Sequence, residues 1–181
     1  STGLVDASSD LEKFIGYGWY FENNSPNSIT GKSTYGKKAN QDFDYWYNDY
    51  TSKQSTTYVT NAPEKVYLTN DTSEGRYGAK YAIKDTGPVK EYTRDAIQDF
   101  FTQVIIGNFD ILKGGFLEEV KKILIAGGEV EVDLTSSASA TASVDYNIDI
   151  SERRNSSVLQ WLEKQPVQDN KTLKDYITSG K

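Results

Sequence analysis

Residues 129–163 constrain the chain more than any other stretch, because three kinds of local order follow one another within them. In 129–134, Val130, Val132 and Leu134 alternate with Glu129, Glu131 and Asp133. A period of two is that of a half-buried strand. Residues 135–146 are mostly Ser, Ala and Thr without helical periodicity, and read as a loop. From Asn147 onward Ile150, Val158, Trp161 and Leu162 recur at helical spacing, with Glu152, Arg153, Gln160 and Glu163 off that stripe. Asn147 is the expected N-cap, since its side chain can accept a hydrogen bond from a free amide of the first turn. Arg154 falls one turn after Ile150, placed to reach back towards the loop. Taken alone, such an Arg reads as a surface cation.

Several chemistries are excluded at once. The chain has no His and no Cys, so neither a Ser-His-Asp nor a Cys-His site can be built, nor any His-ligated metal centre, and there is no disulfide framework. A net charge of −6 argues against nucleic acid as a partner, because phosphate binding requires a basic face. No run of eighteen apolar residues is present that would predict a membrane helix. The chain also lacks Met, so it reads as mature, clipped or a fragment. Aromatic residues, 13% of the chain, must supply much of the core.

Taken in order, residues 1–14 read as a linker with a short docking helix near 9–14. Residues 15–21 alternate Ile15, Tyr17, Trp19 and Phe21 with Gly16, Gly18 and Tyr20, predicting a first strand. Asn23-Asn24-Ser25-Pro26-Asn27 is a turn cluster. Within 38–52, Phe43, Trp46, Tyr47 and Tyr50 share one helical face, and packing outweighs a carbohydrate platform as their role. Residues 65–70 and 79–83 predict a hairpin across a turn-rich segment. The acidic run 70–74 lacks the spacing of a calcium loop. Residues 92–106 and 110–126 are helical by pattern, with a break or kink at Gly107-Asn108 and a stop at Gly127-Gly128. Gln165-Pro166 ends the last long helix, and 172–177 predict one short helix or turn.

The order strand, insertion, helix, strand, helix predicts an α+β fold. Its sheet would pair 15–21 with 129–134, covered by helices on one side as a two-layer α/β sandwich.

The spelling Tyr146-Asn147-x-x-Ile150-Ser151-x-x-Arg154, followed by Ser157-Val158 and Trp161-Leu162, resembles the C-terminal, peptidoglycan-associating domain of the OmpA-like family. That family's helix reads Asn-x-x-Leu-Ser-x-x-Arg-Ala-x-x-Val, after a strand of alternating aliphatics. Val130, Val132 and Leu134 match the strand, and Leu112, Phe116, Leu117, Val120 and Leu124 match the first core helix. Phe21-Glu22-Asn23-Asn24-Ser25-Pro26 resembles the end of the family's first strand.

The resemblance covers roughly 91–163 and extends to 15–27. It implies an OmpA-C-like βαβα(β) domain over 15–164, with an insertion at 28–90 after the first strand. A C-terminal segment, 165–181, would stop short of the family's last strand.

What the resemblance implies for function is a non-enzymatic cell-envelope module without cofactor or metal. It would be the periplasmic part of an outer-membrane protein of a Gram-negative bacterium, associating non-covalently with the diaminopimelate of the peptidoglycan stem peptide. In the family a loop Asp and the helix Arg grip the zwitterionic end of that residue, the Arg two-pronged on a carboxylate. Arg154 matches the Arg; the Asp position is Ser139 here. The implied ligand-binding residues are Arg154, Asn147, Ser139 and Ser137. The alternative is a domain that keeps the fold without the ligand, a structural or assembly module that binds a protein partner in an envelope complex. Wall hydrolysis is the weakest reading: Asp145 and Asp149 are the only close acids near the loop, and nothing in the sequence suggests the burial that raises a catalytic acid's pKa.

Overall fold

A computed structural model describes residues 11–31, 35–60, 65–68, 90–136, 138 and 143–177, with 65–68 and 90–93 described by their backbone. Three helical elements form the frame. Helix α1, Phe43–Lys53, is capped by Asp42, whose side chain accepts from the Tyr45 amide, and continues as a π-type turn over Gln54–Val59. Helix α2 is one run of α-segments Arg94–Asp99, Gly107–Ile111 and Leu117–Ile125, joined by π-type segments Phe100–Ile106 and Leu112–Phe116. Helix α3 is Val144–Glu163.

Two small antiparallel hairpins complete the mixed α and β content. In the first, β1, Lys65–Leu68, pairs with β2, Lys90–Thr93. In the second, β3, Pro166–Gln168, pairs with β4, Lys171–Thr172. Asp169 and Asn170, both at positive φ, make the tight reversal between β3 and β4. A 3-10 turn, Leu173–Tyr176, follows β4 under a capping box of Thr172 and Asp175.

The aromatic stripe of α1 is packing. Phe43 and Tyr50 are buried in two separate clusters, and Tyr47 contacts both. The larger cluster joins Phe43 to Phe109, Leu117, Val120 and Leu124 of α2 and to Val158, Trp161 and Leu162 of α3. Its rings meet mainly edge to face, as at Phe43–Phe109 (5.0 Å) and Phe109–Trp161 (5.3 Å). The smaller cluster holds Tyr50 and Tyr58 against Ile97, Phe101 and Ile105.

Helix α2 does not break at Gly107. Its amide donates to the Thr102 carbonyl five residues back, the π-type bond, and the chain runs on. A Cβ there would stand 3.3 Å from the Thr102 oxygen, so glycine seats the wide turn instead of ending the helix. The expected stop at Gly127-Gly128 is present. Gly127 sits at φ 87°, its amide bonds to Leu124 O, and the Gly128 amide bonds to Ile123 O, the two bonds of a Schellman motif.

Four expectations require correction. Neither 15–21 nor 129–134 enters a ladder among the described residues. Trp19, Phe21, Val130 and Leu134 instead pack directly against the helical core, which satisfies their apolar surface without a sheet. The partner of 65–68 is 90–93; the expected 79–83 lies outside the described residues. The N-cap of α3 is Ser143, whose Oγ accepts from the Tyr146 amide, so Asn147 lies inside the helix, its amide bonded to Ser143 O. Arg153, off the apolar stripe, is fully buried.

Candidate functional site

The buried Arg153 is explained by what crosses the polar flank of α3. Residues 24–31 and 35–42 run along it as a strap, and the helix holds the strap by side chain after side chain. Tyr146 Oη donates to Asn24 Oδ1 (2.6 Å). Asp149 Oδ2 accepts from the Gly36 amide (3.1 Å). Arg153 donates from Nε to Pro26 O (2.8 Å) and from Nη1 to Gly36 O (3.0 Å). Arg154 Nε donates to Ser25 O (3.0 Å). Further along, Ser156 Oγ accepts from the Ala39 amide and Gln160 Nε2 donates to Ala39 O. Ser157 Oγ donates to Gln41 O, and Lys164 pairs with Asp42 at 2.7 Å.

The strap is bent to fit. Asn24 is at positive φ, the Ser25–Pro26 peptide is cis, and Ser28 bridges Ala39. Gly36, at φ 99°, lies where a Cβ would meet the Ser28 side chain at 3.1 Å, so the backbone can close on the helix only with glycine there. A guanidinium suits this task, since its fixed fork reaches two carbonyls at once and stays charged at any working pH. Burial pushes both guanidiniums below their ordinary pKa. For Arg153, Tyr146 and Asp149 act in the opposite direction.

Of the four residues singled out from the sequence, Ser137 and Ser139 lie outside the described residues, as does the acidic run 70–74. Asn147 and Arg154 are about two turns apart on α3. Arg154 is half-buried, with its guanidinium over the Phe21 ring at 5.8 Å. It also lines a groove of about 880 Å3 between residues 11–21 and 130–136, floored by Leu112, Phe116 and Val158. Asn147 is not part of that lining. At the groove's end Asn155 Nδ2 donates to Leu134 O and Ser136 Oγ to Ser151 O, tying the chain after 129–134 to α3.

Sequence reasoning placed Arg153 and Gln160 off the apolar stripe and Asp149 near the loop, and missed that all three hold the strap. The one available signal was two adjacent arginines followed by Ser156-Ser157, a polar flank richer than a solvated helix needs. Among the described residues no group of three acids could hold a metal ion, and no helix is long and apolar enough to cross a membrane. No protein-family model matches this chain, and no curated protein or solved structure matches it.

Proposed function

We propose that the chain is a non-enzymatic module of the cell envelope, OmpA-like in kind, whose partner is another protein. The observation that supports this reading is the use of the charges on α3. Asp149, Arg153 and Arg154 are each bonded to the backbone of the strap, at Gly36, Pro26 and Ser25. In the resemblance, Arg154 reads a diaminopimelate carboxylate beside a loop acid; here its Nε is engaged by Ser25 O and the acid's position is Ser139. With these groups engaged by the strap, the proposal assigns recognition to a macromolecular partner instead of a small charged ligand.

A second reading, association with the peptidoglycan stem peptide through Arg154, is favoured by one observation: Arg154 lines the groove. Titration of the folded chain with a diaminopimelate-containing muropeptide, alongside Arg154→Ala, separates the two. The protein-partner reading expects no saturable binding by either protein. Saturable binding that Arg154→Ala abolishes would overturn it in favour of the wall ligand.

A further inference from the structure

The two sides of the groove carry a pattern that the fold leaves unused. On one side Val130, Val132 and Leu134 form the apolar half of a strict alternation. Val130 and Leu134 pack on the core, but Val132 lines the groove and is 43% exposed. On the other side Ile15 is 80% exposed and Tyr17 40% exposed, and both line the same groove. Large apolar side chains exposed in the lining of an open groove gain free energy from an occupant that removes them from water.

The backbone narrows the choice of occupant. Residues 130–136 line the groove without interruption. Among the described residues, no backbone–backbone hydrogen bond involves 129–136, and of their carbonyls only Leu134 O is engaged, by Asn155 Nδ2. Main-chain amides and carbonyls are strong, obligatory hydrogen-bonding groups, and a run of about six residues, roughly 20 Å, is the length of an ordinary strand. The charge pattern narrows it further. Glu131 and Asp133, on the alternate set, are exposed, as is Glu12 across the groove, and these three acids outnumber the one cation among the described residues of the lining, the half-buried Arg154 bonded to Ser25 O. Residues directly opposite in a two-strand pair share a face, so basic side chains set against Glu131 and Asp133 are attracted and acidic ones repelled.

We propose that the groove is the docking site for an extended segment of a partner polypeptide that alternates apolar and basic side chains and pairs with residues 130–134 as an added strand. This rests on the protein-partner reading and specifies its surface and its binding mode.

The test uses the whole 15N-labelled chain and a capped hexapeptide, Lys-Val-Lys-Val-Lys-Val, with Glu-Val-Glu-Val-Glu-Val as its mirror in charge. The expected result is saturable binding of the basic peptide. Amide shifts should be confined to 15–21 and 130–134, and the fluorescence of Trp19 should change. Val132→Pro, which removes one ladder donor at an exposed position, should abolish binding. Glu131→Lys with Asp133→Lys alters only exposed side chains, and should weaken the basic peptide about tenfold or more while admitting the acidic one.

Equal binding of both peptides, shifts elsewhere on the surface, or no binding at all would overturn the groove assignment. So would concentration-dependent self-association that Val132→Pro removes, since the occupant would then be a second copy. None of these touches the protein-partner reading, which stands or falls on the muropeptide titration.

Discussion

Arg153 shows how one side chain can organise a loop. It is 0% exposed and carries a charge, a combination stable only with hydrogen-bond partners, and it takes two carbonyls from residues far away in the chain. Replacing it with Ala leaves Pro26 O and Gly36 O short of a donor and opens a cavity. Arg153→Ala should therefore cost about 3–5 kcal/mol in denaturant unfolding. Arg153→Lys, which cannot fork, should cost about 2 kcal/mol. Glu152→Ala, one residue earlier and exposed, should stay within about 0.5 kcal/mol.

Tyr58 donates to Glu22 Oε1 at 2.6 Å, and burial first, then that bond, raises its pKa. Tyr47 is raised by burial and by Asp110 and Asp44. Lys53 is raised chiefly by its bond to Asp49. All three hold their protons more tightly folded than unfolded. Their stabilisation is complete below the unfolded values, about 10 to 10.5, and is lost as the pH rises from there towards the folded ones. Stability measured from pH 8 to 11 should fall at the alkaline end. Tyr58→Phe should flatten that fall, at a cost of about 1 kcal/mol at neutral pH.

Among the elements, the turn at residues 11–16 fits closely on α2. Gly115 lies where a Cβ would stand 2.6 Å from Phe14 Cε1, and Phe14 packs edge to face on Phe116 at 6.1 Å. Gly115→Ala should displace residues 11–16 while leaving the core helices in place, seen as amide shifts confined to that turn and its seat on α2. At the other end of that helix, Gly127→Ala places a Cβ at φ 87° and should lower stability by about 1 kcal/mol.

The elements also show what the sequence could and could not disclose. The stripe Ile150, Val158, Trp161 and Leu162 was legible because helical spacing fixes which side is buried, and all four are buried. The alternation in 129–134 marked Val130 and Leu134 as inward, yet a local pattern carries no information on whether another strand lies alongside. Gly107 reads as a break because glycine usually is one; only the Thr102 carbonyl five residues back reveals a π-type turn. Arg153 was illegible for a different reason. Nothing next to it in the chain announces the carbonyls of Pro26 and Gly36, 127 and 117 residues away. Ser143 was passed over as the cap because Asn147, an equally good capping residue, stands closer to the apolar stripe.

At the scale of the molecule, three helices share a core of aromatic rings, and the polar flank of α3 is occupied by the strap. The groove adjoins that flank, with Arg154 at the boundary: its Nε is bonded to Ser25 O of the strap and its side chain also lines the groove. The proposed function depends on Asp149, Arg153 and Arg154 serving the strap, and it assigns recognition to the groove. Amide hydrogen exchange at Gly36 and Ala39, compared between the native chain and Arg153→Lys, tests this most directly. Both amides are bonded to α3 side chains, Asp149 and Ser156. The account predicts slow exchange at both in the native chain and faster exchange in Arg153→Lys, while the amides of Val158 and Trp161 stay protected. Fast exchange of Gly36 and Ala39 in the native chain would contradict it, because α3 would then not be holding the strap and its arginines would be available for a ligand.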